Sequence, residues 1–469
     1  MYSFNMAAVL PLLLALAAAQ QIGQIPEVHP KLPTQFCTRS GGCVTRQTKL
    51  VTDALSRPFH AVGNPSVSCA SARDNKTLCP DVETCTRNCV LEGVDYTQLG
   101  VLTKGSAVTL RQYLFDGQAY TSVSPRLYLL AEDDKNYELL KLTNQELTYD
   151  VDLSQLGCGM NGALYLSEME ADGSRSDLNP AGAQYGTGYC DAQCYNVTWI
   201  NGLPNLNNSG SCCNEMDIWE ANSRATVLTP HTCNQPGSFL CAGDACGRGA
   251  PAVCDKSGCG INPYATGSKD FYAPDRTASV DTSRPFTVVT QFITADNTSA
   301  APLTEIRRLY VQGGRVIENA RVRVGGRDAP GVLTQDFCTE RNASDFNRLG
   351  GVRGMGESLA RGMVLIFSIW NSEGDFMTWL DSNSSGPCNA TEGNPALIVK
   401  NNPEVSVTFS NIKWGEIGTT FNASSGSRAE AADLVSAIKA GTQSSAADRT
   451  LLSSALVGLA ILWFGLALS

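Results

Sequence analysis

Histidine is nearly absent from this chain of 469 residues, which contains three: His29, His60 and His231. Imidazole is the commonest metal ligand in proteins and the usual general base of serine-type catalysis, so few sites of either kind can be built here. No nucleophile-elbow motif accompanies these histidines. We therefore expect no metal, no cofactor and no serine-type triad.

Positive charge is also in short supply. The chain has 35 Lys and Arg against 45 Asp and Glu, which gives a formal net charge of -10. This balance disfavours nucleic acid and anionic membrane surfaces as partners, and a neutral polymer fits better. Hydrophobic residues make up 43% of the sequence, enough for a large core.

Helical periodicity is weak throughout, except in residues 429–440. Many segments instead alternate in polarity or are rich in β-branched residues, as strands are. The predicted strands are 126–130, 146–154, 163–170, 286–294, 362–370 and 405–414. Residues 307–311 and 315–318 flank Gln312-Gly313-Gly314, which predicts a hairpin. Strands without intervening helices predict an all-β sandwich.

The segment Asn214-Glu215-Met216-Asp217-Ile218-Trp219-Glu220-Ala221-Asn222 places three carboxylates within six residues. On a regular strand Glu215 and Asp217 share one face and Glu220 lies on the other. A one-residue bulge between Asp217 and Glu220 would bring all three to one side. Close carboxylates suit a glycosidase, because one stays ionised while another keeps its proton. A calcium site or an acidic surface strand are the alternatives.

The same segment, preceded by Cys212-Cys213, resembles the active-site strand of glycoside hydrolase family 7, which contains fungal cellobiohydrolases and endoglucanases. The resemblance extends from about Gln20 to Asn422. Other matching segments are Pro26–Leu32, Ser124–Leu130, Tyr185–Cys194, Leu228–His231 and Trp379–Ser382. The family implies a jelly-roll-like sandwich of two large curved antiparallel sheets with a long substrate cleft.

The resemblance also implies roles for individual residues. Glu215 corresponds to the nucleophile, Glu220 to the general acid/base, and Asp217 to the residue that tunes the nucleophile. The remaining matches are Asp191 and His231 near the catalytic centre, Trp370 and Trp379 as sugar-stacking residues, and Tyr165, Tyr189 and Gln193 in the cleft lining. Most tryptophans in a sandwich are core residues, as we expect for Trp199 and Trp414. For His231, the alternative to a role near the catalytic centre is a purely structural one.

Cysteine is abundant, with 18 residues, an even number. Scarce histidine and a secretory-type N-terminus favour disulfides over zinc, although spacing alone does not fix the pairing. The family implies the pairs Cys37–Cys43, Cys69–Cys89, Cys79–Cys85, Cys158–Cys388, Cys190–Cys213, Cys194–Cys212, Cys233–Cys254, Cys241–Cys246 and Cys259–Cys338.

The two ends of the chain carry targeting signals. Residues 1–19 are typical of a signal peptide, and 20–422 form the expected catalytic domain. An Ala/Ser-rich stalk, 423–450, precedes an apolar tail, 451–469, with no charge after it. This pattern indicates a glycolipid (GPI) anchor signal, with a transmembrane tail as the alternative. We expect a monomer that is secreted and held at the cell surface, with sequons at Asn75, Asn196, Asn207, Asn297, Asn342, Asn383, Asn389 and Asn422.

Loop lengths within the family distinguish attack on internal bonds from attack on chain ends. Short segments at 201–212 and 379–388 favour an open cleft and a retaining endo-β-1,4-glucanase, whereas 246–254 and 327–348 keep some length. Ser56 and Pro58 stand where cellobiohydrolases have tryptophans, which weakens distal sugar binding, and Phe59 is a candidate replacement. The alternatives are a cellobiohydrolase, a cell-wall transglycosylase and a non-catalytic carbohydrate-binding protein.

Overall fold

Two large sheets form most of the protein. The computed structural model describes residues 21–421. One sheet has seven strands and is called the cleft sheet below, and the other has ten and is called the outer sheet. The predicted signal peptide, stalk, apolar tail and helical segment 429–440 lie outside the described residues. No helix within 21–421 has both the length and the apolar character needed to cross a membrane.

The cleft sheet is antiparallel throughout. In spatial order its strands are Thr226–His231, Glu215–Ala221, Asn161–Ser167, Met363–Trp370, Arg126–Leu130 and Lys49–Thr52, and Leu139–Leu140 pairs with Met363–Trp370.

The outer sheet runs Arg315–Glu318, Leu303–Gln312, Phe286–Thr294, Gln145–Asp152, Ser406–Glu416, Thr34–Thr38 and Gly42–Arg46. Three more strands extend it: Val332–Thr334 on Leu303–Gln312, Ala107–Arg111 on Ser406–Glu416, and Val101–Lys104 on Ala107–Arg111. Its pairs are antiparallel except for Thr34–Thr38 beside Ser406–Glu416.

The remaining elements are short. Small sheets and hairpins contain Gln21–Ile22, Phe59–Ala61, Asn64–Ser68, Cys89–Leu91, Tyr113–Phe115, Tyr120–Ser122, Trp199–Ile200, Leu203–Pro204, Gly210–Cys212, Phe239–Cys241, Tyr272–Ala273, Val280–Asp281, Val322–Val324 and Arg327–Ala329. The α-helices are Val82–Asn88, Gln335–Glu340, Ser344–Arg348, Gly351–Arg361, Thr378–Asp381 and Pro395–Asn401. Single 3-10 turns occur at Ala54–Ser56, Ala72–Asp74, Tyr96–Leu99, Gly182–Tyr185 and Gly243–Cys246.

The side chains of the two sheets meet in one continuous core. Along Met363–Trp370 the residues Met363, Leu365, Phe367 and Ile369 join this core, while the alternate Val364 and Ile366 belong to a separate cluster on the other face. This alternation is the two-residue period of a strand buried on both faces. All six predicted strands and the hairpin are confirmed, and the all-β sandwich with them.

Nine disulfides join the cysteines in the nine pairs that the family implies. No cysteine of the described chain is free. So many bridges form and persist in an oxidising compartment, which agrees with secretion.

Candidate active site

A bulge lies in the middle of the strand Glu215–Ala221. The register against Thr226–His231 shifts between Asp217 and Glu220. As a result the consecutive residues Ile218 and Trp219 both enter the core, and Glu220 returns to the face that carries Glu215 and Asp217. The predicted bulge is confirmed, and it brings the three carboxylates to one cleft.

Covalent and polar links fix the start of this strand. The bridges Cys190–Cys213 and Cys194–Cys212 tie it to the preceding loop. Asn214 Nδ2 donates to Glu168 Oε2 at 2.7 Å, and the Asn214 Oδ1 atom accepts from the Cys233 amide at 2.7 Å. A site held by such a shell keeps its reacting groups in a defined geometry.

Glu215 is buried at the base of the cleft. Its Oε2 atom accepts a hydrogen bond from the Ala192 amide at 3.1 Å. Burial raises the pKa of Glu215 well above its usual value, and the charges of Asp217 and Asp191 raise it further. The Ala192 amide and the positive charge of His231 oppose this shift, since both favour the ionised form.

Asp217 is paired with the buried His231. Asp217 Oδ2 lies 3.0 Å from His231 Nε2, and His231 Nδ1 donates to the Asp255 carbonyl at 2.9 Å. Burial favours neutral imidazole, but the hydrogen bond to Asp217 and its charge outweigh burial and raise the His231 pKa to about 10. Oxygens of Glu215 and Asp217 and one His231 nitrogen lie within 4.8 Å of one another, but a metal ion there would have to displace the proton of His231.

Glu220 lies partly exposed in the cleft. Its Oε1 atom accepts from Asn161 Nδ2 at 2.9 Å. Burial first, and then the charge of Asp217, raise the Glu220 pKa to about 8. Glu220 therefore keeps its proton at neutral pH, as a general acid must.

The cleft has a volume of about 930 Å³. The strand directions place its two walls at opposite ends of the strand Asn161–Ser167. Trp370 ends its strand opposite Asn161, whereas Glu215 begins the other strand opposite Ser167. Trp370 and Trp379 form one wall, with ring centroids 6.3 Å apart and Trp379 41% exposed. Exposed aromatic faces of this kind suit the apolar faces of sugars.

The other predicted cleft residues also meet here. Tyr165 and Tyr189 are joined by their hydroxyls at 3.1 Å, and the Tyr189 hydroxyl donates to Asp191 Oδ2 at 2.8 Å. Gln193 Nε2 donates to the Lys256 carbonyl at 3.1 Å. All ten predicted site residues line the same cleft. Trp199 and Trp414 are buried, as expected for core residues.

Sequence reasoning missed several polar residues of the cleft lining, among them Tyr195, Arg248 and Lys256. Tyr195 is 61% exposed, and its backbone pairs with Ser211 at the Glu215 end of the site, on the wall opposite the two tryptophans. Its position directly after Cys194 was the available signal, because the Cys194–Cys212 bridge ties that loop to the active-site strand.

Two expectations about the ends of the cleft change. Phe59 cannot replace the missing tryptophans, because its ring is buried against Trp199 with a centroid distance of 4.6 Å. Residues 327–348 form a hairpin strand and helices, with Phe337 and Phe346 buried in the core, and contribute no residue to the described cleft lining. This segment therefore does not cover the cleft.

Two glutamates on one face of a bulged strand, inside an aromatic-walled cleft, are the arrangement that a glycoside hydrolase requires. The model of the family described as glycosyl hydrolase family 7 matches residues 22–421, and the chain belongs to this family.

Its relatives are close. The chain is 59% identical over 410 residues to a probable endo-β-1,4-glucanase, celB, of Aspergillus terreus, covering 87% of this chain and 96% of that one. The native structure of Humicola insolens endocellulase EGI is 46% identical, with a TM-score of 0.81, covering 86% of this chain and 100% of that one. A Daphnia pulex cellobiohydrolase structure is 36% identical, with a TM-score of 0.79 and coverages of 86% and 100%.

Proposed function

We propose that this chain is an endo-β-1,4-glucanase that hydrolyses internal bonds of cellulose or related β-glucans with retention of configuration. The observation that carries the proposal is the bulged strand, which turns Glu215, Asp217 and Glu220 into one cleft. Greater identity to endoglucanases than to the cellobiohydrolase supports internal attack.

In the proposed mechanism Glu215 attacks the anomeric carbon while Glu220 donates its proton to the departing glycosidic oxygen. The resulting glycosyl-enzyme is hydrolysed by a water molecule from which Glu220 takes a proton. Asp217, held by protonated His231, sets the charge beside both glutamates. Trp370 and Trp379 stack against sugars, and Tyr165, Tyr189, Asp191 and Gln193 line the path of the glucan.

Internal attack should show in the viscosity of a soluble cellulose derivative. We expect viscosity to fall steeply before many reducing ends appear, because the short segments 201–212 and 379–388 leave the cleft accessible along the chain. The measurement compares specific viscosity with reducing ends over time. A slow decline with cellobiose as nearly the sole early product would refute the open cleft and favour a cellobiohydrolase.

We also propose that the enzyme carries glycans and a glycolipid anchor. Seven of the eight sequons fall on exposed residues, and Asn422 lies outside the described chain. The last described residues of the chain pack against Glu146, whose Oε1 atom accepts a hydrogen bond from the Thr420 amide at 3.0 Å. Its neighbour Leu147 faces the core, so Glu146 lies on the far face of the outer sheet. A tether there would leave the cleft facing away from the membrane.

Treatment with a phospholipase specific for phosphatidylinositol should release active enzyme from the cell surface. The released chain should end before Leu451, because an anchor signal is removed when the lipid is attached. A known phospholipase-sensitive surface protein serves as the control for lipid modification. Mass spectrometry that finds residues 451–469 on the mature surface protein would overturn the anchor in favour of a transmembrane tail.

A further inference from the structure

A guanidinium lies inside the core between the two sheets. Arg308, on strand Leu303–Gln312 of the outer sheet, is 2% exposed. Its Nε atom donates to Thr290 Oγ1 at 3.1 Å, and its Nη2 atom donates to the main-chain carbonyl of Ile218. Arg308 thus links the outer sheet to the backbone of the strand that carries the carboxylates.

The link is made at the bulge itself. Ile218 has no partner in the register with Asn161–Ser167 or in the register with Thr226–His231. A bulge leaves backbone groups outside the ladder, and a buried carbonyl without a donor is costly. Arg308 supplies that donor. The carbonyl it holds is two residues before Glu220, where the chain turns to return that side chain to the cleft.

Arg308 is an unusual residue to find in this place. Its contacts in the described chain include the Thr290 hydroxyl, the Ile218 carbonyl, the Tyr310 side chain by a hydrogen bond, and the rings of Trp219 and Tyr310, 5.4 and 6.0 Å from the guanidinium carbon. None of these is a carboxylate. Burying a charge without an opposite charge opposes folding, so an apolar residue would serve a purely structural core better.

We propose that Arg308 is a positioning residue that fixes the bulge and thereby aims Glu220 at the glycosidic oxygen. The inference rests on the proposed role of Glu220 as the general acid. Loss of the Ile218 link lets the bulge relax, and a displacement of about 1 Å in a catalytic group can cost about 10²-fold in rate. Glu215 and Asp217 precede the bulge and keep their disulfide-braced positions.

The test uses two substrates that differ in their need for an acid. With cello-oligosaccharides the leaving sugar must be protonated, whereas an aryl cellobioside with a highly acidic phenol leaves without a proton. In Arg308→Met we expect the glycosylation-step kcat/KM to fall about 10²-fold on the oligosaccharide and less than about 5-fold on the aryl glycoside. Arg308→Lys should recover part of the loss, because its ammonium can donate to the same carbonyl.

Two further variants separate positioning from loss of stability. Thr290→Val removes the hydroxyl that accepts from Arg308 Nε and should give a smaller loss with the same substrate dependence, even if Arg308→Met fails to fold. Phe292→Leu is a core change on the strand that carries Thr290. It should lower the melting temperature without altering the ratio of kcat/KM between the two substrates.

Glu220→Gln, assayed in parallel, separates a failure of the Arg308 role from a failure of the acid assignment. If the loss of kcat/KM in Glu220→Gln depends on the leaving group and the losses in the Arg308 and Thr290 variants do not, the positioning role of Arg308 is wrong and the proposed function stands. If Glu220→Gln itself loses both substrates equally, the acid assignment is wrong and the inference about Arg308 falls with it.

Discussion

Glu215→Gln is expected to reduce kcat/KM by on the order of 10⁴-fold or more on every glucan substrate, whatever the leaving group. The glutamine side chain has the same shape as glutamate and still accepts a hydrogen bond from the Ala192 backbone N–H, but its neutral amide group cannot attack the anomeric carbon. Removal of a catalytic nucleophile commonly costs several orders of magnitude. Initial rates on oligosaccharides and on activated aryl cellobiosides measure the effect.

The matched control is Glu373→Gln, the same change at an exposed position outside the cleft lining, which should keep full activity. Near-full activity of Glu215→Gln would contradict the nucleophile assignment. Proton NMR of the wild-type reaction gives a second check, because retention requires that the β anomer appear first. An α product would indicate inversion and a direct attack by water.

Glu220→Gln is expected to depend strongly on the leaving group and to lose the alkaline pH dependence of the wild-type enzyme. Its kcat/KM for oligosaccharides should fall about 10²- to 10⁴-fold, while glycosylation by activated aryl cellobiosides is largely spared. The wild-type Glu220 pKa of about 8 means that the proton is present below that pH and is lost as pH rises through it. Wild-type kcat/KM on oligosaccharides should therefore decline on the alkaline side near pH 8, within about a unit.

With the activated substrate, kcat/KM of Glu220→Gln should not decline on the alkaline side. The pH profile of the glycosylation step measures this. Azide provides a further control, since an anionic nucleophile needs no base and should accelerate turnover of the glycosyl-enzyme in this variant. Equal losses on both classes of substrate would argue that Glu220 is not the acid.

Much of this architecture is encoded locally. The alternation in residues such as those of Met363–Trp370 identifies strands without reference to the rest of the chain. The bulge follows from the spacing of Glu215, Asp217 and Glu220, because a regular strand cannot place all three on one face. The family resemblance supplied the disulfide pairs and the wider cleft, which spacing alone leaves open.

The remaining features depend on contacts between segments far apart in sequence. Phe59 looks like an available sugar platform in its own segment, but Trp199, 140 positions away in sequence, covers its ring. Arg308 looks like one charge in an alternating strand, and its partner carbonyl is 90 residues earlier. Tyr195 becomes a wall residue only when its loop is folded back on Ser211. Such long-range contacts have no periodic signature.

The bridge Cys158–Cys388 spans 230 residues and encloses the strand with all three carboxylates. Secreted hydrolases work among proteases, which preferentially cut exposed loop tips. A single cut at the exposed Asn208 would fall inside the loops closed by Cys190–Cys213 and Cys194–Cys212 as well. Both new chain ends would remain covalently joined on either side of the cut. Clipped molecules would thus survive as one unit, with cleavage visible only after reduction.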